Sequence, residues 1–287
     1  TNGQVVPATP QLFTRTALDF TPDPAAPDPE LWLKFLSQVW PEDDDPACIV
    51  ALQEFMGLLL TPDTRLQKSL LMVGPPASGK GTILKVMARL VGLDNTASPS
   101  MHSLSEGKFG LEPLLNKTLM TVGDMRIDHR TNIALLEENL LTIMGEDRVS
   151  VDRKNIKAVQ ARLKVRVAIA TNELPRFNDA SGAMARRLIT LTQRNSFKDN
   201  PDTELEEKLM RELPGILNWA VAGWRRVQAN KRIAEPQSSR DAAQDLVDLA
   251  SPVPEFVSTY CTLHPGFEVD KKELFNAFRA WFKERFG

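Results

Sequence analysis

Leu70-Leu-Met-Val-Gly-Pro-Pro-Ala-Ser-Gly-Lys-Gly-Thr82 decides how this chain is read. A short apolar run suited to a buried strand leads into a loop, and helical periodicity starts near Lys80. Gly74 and Gly79 lie five residues apart, and Lys80 follows directly. Glycines in those places let loop N–H groups turn inward around phosphate oxygens, and the positive end of the following helix points at the same anion. Gly74, Pro75, Pro76, Ala77, Ser78, Gly79, Lys80, Gly81 and Thr82 therefore predict a cradle for ATP, with Lys80 reaching the β and γ phosphates. The bland alternative, a Gly-Pro turn ahead of a helix, accounts for the turn but not for the lysine.

One position departs from the usual pattern. A hydroxyl residue for Mg²⁺ is expected after the lysine, but here it is Gly81, with Thr82 next. Gly-Lys-Gly-Thr after Gly-Pro-Pro resembles the loop of adenylate kinases, which opens a small-molecule kinase as an alternative. Thr82 is then a weak Mg²⁺ contact, and the carboxylate of Asp124 the main one. Asp124 ends the apolar run Leu119-Met-Thr-Val-Gly-Asp124, where an ATPase needs an acid on a strand next to the loop strand. No second acid adjoins it; Asp128, Glu137 and Glu138 are weak candidates for its role.

Further on, Val165-Arg-Val-Ala-Ile-Ala-Thr-Asn172 is a strand ending in an amide able to orient an attacking water. Arg186 and Arg187 follow fourteen and fifteen residues later, ahead of another apolar strand. Either arginine is a candidate finger for a neighbouring subunit's nucleotide. In isolation Asn172 reads more often as a turn cap before Pro175, and the arginines more often as solvated side chains; in this order and after a phosphate loop the functional reading wins. Between these segments, Val149-Ser-Val-Asp-Arg-Lys-Asn-Ile-Lys-Ala-Val159 alternates around a basic tip, which predicts a hairpin. Arg153, Lys154 and Lys157 are its candidate contacts to the phosphates of single-stranded or forked DNA. A solvated basic turn is the competing reading.

Strands are predicted over Ser69–Val73, Thr118–Val122, Val165–Thr171 and Leu188–Leu191, with helices over Gly81–Val91 and Ile133–Met144 between them. That alternation predicts an α/β core whose parallel sheet is flanked by helices. Residues 1–29, with six prolines, read as an extended linker or arm. Residues 30–65 read as a small helical module, 66–235 as the core with a helical lid over Glu204–Lys231, and 236–287 as a third module. The last carries Leu274, Phe275, Phe278, Trp281 and Phe282 on one side of a helix over Asp270–Phe286; these aromatics read as core.

Composition excludes several classes. Charged residues are 25% and apolar residues 42%, the balance of a globular domain, and no apolar run reaches the roughly 20 residues of a membrane span. Two cysteines and three histidines leave little for zinc or a disulfide framework and point to a reducing compartment. With a net charge of −2, any DNA contact has to come from a local patch.

Taken in order, these segments resemble the superfamily 3 helicase domain of phage and plasmid primase-helicases, related to poxvirus-type primase-helicases and to AAA+ ATPases. The resemblance runs from Glu30 to Gly287. It is carried by Leu52–Gly57, Gly74–Thr82, Gly145–Lys154, Ala170–Pro175, Asp179–Leu188 and Gly215–Gly223. It implies an AAA+-like core and a homo-hexameric ring with ATP and Mg²⁺ between subunits. Lys80, Asp124, Asn172 and Arg186 or Arg187 are then the site residues, and Lys154 grips DNA. It also implies 3′-to-5′ translocation, a winged-helix-like module at 236–287, a primase or polymerase domain ahead of Thr1 in the natural protein, and the cytoplasm of a bacterial host. Gly81 and the lone Asp124 depart from the family pattern. They keep open a ring-forming DNA-binding module in which the nucleotide is mainly structural.

Overall fold

The computed structural model describes residues 16–41, 44–105, 109–125, 131–179 and 181–286. Helices α1 (Glu30–Val39) and α2 (Ala47–Leu59) precede β1 (Ser69–Val73), α3 (Lys80–Val91), β2 (Thr96–Ala97) and α4 (Met101–Leu104). Then come β3 (Leu119–Val122), α5 (Ile133–Gly145), β4 (Arg148–Arg153), β5 (Ile156–Arg162) and β6 (Arg166–Thr171). The chain continues with α6 (Ala183–Arg187), β7 (Leu188–Thr192), α7 (Leu205–Arg211) and α8 (Leu213–Asn230). Helices α9 (Gln237–Ala250), α10 (Pro252–Tyr260) and α11 (Lys271–Phe286) end it.

Five strands pair in parallel in the order β2-β3-β6-β1-β7. Every residue of β1, β3 and β6 is buried, as a parallel sheet covered on both faces requires. Alternate residues feed two cores. Leu70 and Met72 join α1, α2, α3, α7 and α8 on one face, while Leu71 and Val73 join α4, α5 and α6 on the other. The four predicted strands match to within a residue or two at their ends. The two-residue β2 was not among them.

Helices α2 and α8 cross at backbone contact. A Cβ on Gly57 would lie 2.4 Å from the Ala220 carbonyl oxygen, and one on Gly223 would lie 2.3 Å from that of Gln53. Buried Glu54 sits in this joint and accepts from Arg226 Nε at 3.0 Å and Ala234 N at 2.6 Å. The Glu212 carboxylate accepts the N–H groups of Leu31 and Trp32 at 3.0 and 2.9 Å, so an anion caps the start of α1. The predicted lid over Glu204–Lys231 is two helices, broken at Glu212 ahead of Pro214, and α8 packs on α2. Arg166 opens β6 fully buried, donating to the carbonyls of Leu58 and Asp63; burial pushes its guanidinium down to about 10.

Residues 16–29 contain no helix or strand, yet they lie along the core. Ala17 O accepts from Asn95 Nδ2 at 2.8 Å, and the Asp19 carboxylate accepts from Leu93 N at 2.9 Å. After β7 the described residues form helices and loops only. Helix α9 packs against β7, with Ser239 Oγ accepting from Thr190 N at 2.9 Å. Phe256 of α10 meets Phe278 and Trp281 of α11 at ring-centre distances of 5.4 and 5.5 Å. Phe275 and Phe282, expected on the same side, are exposed, because no described element covers that part of α11. Among the described residues no helix is long and apolar enough to cross a membrane.

Candidate functional site

The loop after β1 is built by close approach. Gln193 N donates to Val73 O at 2.7 Å, which lays the residue after β7 against the end of β1. A Cβ on Gly74 would come within 2.5 Å of the Gln193 carbonyl oxygen, so only glycine fits. Ala77 (φ +59) and Gly79 (φ +94) both take the left-handed conformation and fold the loop back on itself. A Cβ on Gly79 would lie 2.8 Å from the Phe35 ring, so α1 seats directly on the loop. Ser196 Oγ donates to Pro76 O at 2.8 Å and Phe197 N to Ala77 O at 2.9 Å, pinning it from the far side. Helix α3 starts at Lys80 with no side-chain cap, leaving its first N–H groups without helical acceptors.

Lys80 is buried and fully engaged. Its Nζ donates to Gly74 O at 2.6 Å, Pro75 O at 2.7 Å and Ser78 Oγ at 3.0 Å, one acceptor for each ammonium proton. Burial pushes its pKa down, and the nearby Asp124 charge works against that shift.

A cavity of about 630 Å³ opens in front of this loop. Lys80, Gly81, Thr82, Asp124 and Asn172, all named from the sequence, line it together. Their arrangement corrects one expectation. The strand carrying Asp124 is not next to the loop strand: β6 lies between β1 and β3. Asn172, one residue past β6, therefore stands between the lysine loop and the acid. Thr171 fixes this edge, its hydroxyl donating to the Glu173 carbonyl at 2.8 Å and lying 3.2 Å from that of Met125. A Cβ on Gly81 would meet nothing within 4 Å, so packing does not require glycine after Lys80. The loop's donors and the buried ammonium suit a chain of phosphates. Asp124 and Thr82 suit an ion carried mainly by those phosphates and water.

The far wall escaped sequence reading. Phe35 and Gln38 come from α1, and Phe197, Asn200, Asp202 and Leu205 from the segment entering α7. More than 150 residues separate the two groups, and no motif links them; only the seating of α1 on the loop brings them together. Asp202 spends its carboxylate on Glu204 N at 3.0 Å and on Lys208 at 3.4 Å. Neither Glu137 nor Glu138 lines the cavity. Glu137 is buried on α5, where it accepts from Asn178 N, and burial raises its pKa. Asp128 lies outside the described residues.

The arginines stand elsewhere. Arg186 and Arg187 end α6 and enter β7 at its N-terminal end, while the cavity lies beyond the C-terminal ends of the parallel strands. Arg186 NH1 donates to Ser181 O at 2.8 Å and Arg187 NH1 to Ala183 O at 3.2 Å. Arg187 Nε is buried with no hydrogen-bond partner. The predicted hairpin is present as β4–β5, leading into the N-terminal end of β6. Asn155 (φ +60) makes its turn. Lys154 and Lys157 are exposed; Arg153 is half-buried and spends Nε and NH2 on the Lys157 carbonyl at 3.0 and 2.6 Å. Thus Lys154 and Lys157 remain presented at the tip, and Arg153 braces it.

Residues 72–187 match the model of a family of unknown function (DUF5906). That stretch holds Lys80, Asp124, Asn172 and both arginines in less than half of the chain. The overall fold has solved counterparts. It is shared with the C-terminal region of NrS-1. An apo structure of that region superposes with a TM-score of 0.62 at 18% identity, covering 82% of this chain and 55% of the other. Two more, of NrS-1 residues 305–718, give TM-scores of 0.56 and 0.58 at 16% identity. This chain spans somewhat more than half the length of those structures.

Proposed function

We propose that the cavity binds ATP with Mg²⁺ and that the chain is the motor of an ATP-dependent DNA helicase of a phage or plasmid replication protein, acting as a ring. One observation carries the proposal: β6 between β1 and β3 places Asn172 between Lys80 and Asp124. A phosphate chain seated on the loop would meet Lys80 and the N–H groups at the start of α3. Asp124, with Thr82, would hold the waters of a phosphate-borne Mg²⁺, and the Asn172 amide would orient a water for attack on the terminal phosphate. Bond cleavage at that phosphate needs a cation for the charge that develops, and no arginine lines this cavity among the described residues. Arg186 and Arg187, at the opposite end of the sheet, suit delivery to a neighbouring copy. The exposed Lys154 tip suits DNA phosphates, giving sequence-independent grip.

The small-molecule kinase reading loses ground for the same reason. Among the described residues the cations that line the cavity are Lys80 and Lys85, and Lys85 pairs with Glu206 at 2.6 Å. A second reading keeps one specific observation: Gly81 supplies no hydroxyl although space for one exists, which fits a DNA-binding ring that holds nucleotide and hardly turns it over. Steady-state ATP hydrolysis with and without single-stranded DNA separates the two. Turnover stimulated by DNA supports the motor. Measurable turnover that DNA leaves unchanged rejects the motor, and tight binding with no turnover favours the second reading.

A further inference from the structure

We infer that Gln193, through Ser78, is a positioning residue for Lys80, and that this buried chain prepares the lysine for a polyphosphate. The inference rests on the proposed nucleotide reading of the cavity. Three side chains from two distant segments form one line of hydrogen bonds. Ser78 Oγ donates to Gln193 Oε1 at 2.7 Å, and Lys80 Nζ donates to Ser78 Oγ at 3.0 Å. Ser78 is 1% exposed and Gln193 2% exposed, so water does not compete for either bond.

The direction of the first bond matters. A serine hydroxyl has one proton. With that proton committed to Gln193, Ser78 meets Lys80 only as an acceptor. Without Gln193, the same proton is free to turn toward the ammonium or to be drawn to the carbonyls of Gly74 and Pro75, which Lys80 also uses. The backbone of Gln193 serves the same end: its N–H holds the end of β1, and its carbonyl requires glycine at position 74. Gln193 therefore sets both the path of the loop and the acceptor face of Ser78.

The energetic consequence concerns order. A free lysine loses rotamer entropy when it is fixed. Here that loss is incurred on folding: the ammonium is already desolvated and oriented, and an arriving phosphate takes over protons that Gly74 O and Pro75 O accept in this structure, while Ser78 keeps the third. Such preorganisation is expressed as affinity. Its benefit falls on the phosphates that Lys80 reaches, and not on the base or the α phosphate.

Calorimetric titration of ATP, ADP and AMP into wild type, Gln193→Met and Ser78→Ala tests this. Methionine keeps the length of glutamine without the acceptor, and alanine removes the relay atom. Each variant should bind ATP and ADP about fivefold more weakly, with AMP affinity unchanged. The double variant should lose no more than either single one, because both changes break the same chain. Equal losses for all three nucleotides indicate general loop damage and overturn the inference, as do unchanged ATP affinities in variants that melt like wild type. If Gln193→Met does not fold, Ser78→Ala alone decides, since it removes a single buried hydroxyl. Wild type that binds none of the three nucleotides rejects the nucleotide reading itself and the inference with it.

Discussion

The two ends of the central sheet are built differently. Beyond the C-terminal ends of β1 and β6, polar groups are buried and mutually satisfied. Lys80 has three acceptors, Ser78 is committed to Gln193, and α1 closes over Gly79. At the N-terminal ends, apart from buried Arg166, cations are presented. Arg186 and Lys154 are exposed, and the hydrogen bonds holding Arg153, Arg186 and Arg187 end on main-chain carbonyls within a few residues of each. One end is assembled from segments far apart in the chain and held by close packing. At the other, the hydrogen bonds of Arg153, Arg186 and Arg187 stay local in sequence although Arg166 and Lys68 reach across more than 100 residues, and exposed Arg186 and Lys154 carry charge outward. The contrast is what the proposed function asks for, in which the phosphate cradle belongs to one copy and the remaining cations are delivered to other molecules.

The largest expected effect comes from the outward-facing end. Changing Arg186 and Arg187 singly to Ala should identify one whose loss lowers turnover by about 10³-fold while ATP affinity stays within a factor of about three. If neither substitution slows hydrolysis, the two ends do not cooperate. Next is the hairpin tip. Lys154→Ala should weaken single-stranded DNA binding several-fold and reduce the log–log salt slope by about 1, without altering ATP affinity. An unchanged salt slope would make the tip a solvated turn. The smallest effect is at the cradle. Gly81→Ser places a hydroxyl in open space, so it should leave the melting temperature nearly unchanged and lower the Mg²⁺ concentration for half-maximal turnover by about threefold. A variant with no change in Mg²⁺ dependence would show that the missing hydroxyl is not what sets ion binding.

Local patterns were legible in the sequence. The strand, loop and lysine of Leu70–Thr82 read directly, because a buried parallel strand is a continuous apolar run and the spacing of glycines and lysine is a short-range pattern. The hairpin was equally plain, since alternation about Arg153–Asn155 is a short-range signal. Strand order was not. Alternating elements indicate a parallel sheet but do not say that β6 inserts between β1 and β3, and so Asp124 was expected beside the loop strand. Strand β2 escaped because Thr96–Ala97 is too short to show a period. The wall formed by Phe35, Phe197 and Asn200 and the relay through Gln193 depend on contacts across more than 100 residues. Only close approach at Gly74 and Gly79 creates them, and sequence reports glycine there without saying what approaches.

The central claim is that one copy supplies the cradle and another the arginine. Mixing two inactive proteins tests it most directly. Lys80→Ala removes the cradle's cation and keeps Arg186 and Arg187; the Arg186→Ala/Arg187→Ala double variant keeps the cradle and lacks the finger. Each alone should hydrolyse ATP at a small fraction of the wild-type rate. In an equimolar mixture, random assembly places an intact cradle beside an intact arginine at about one junction in four, so DNA-stimulated hydrolysis should recover to roughly a quarter of wild type. A mixture no more active than its components, under conditions where wild type assembles, would contradict a shared site.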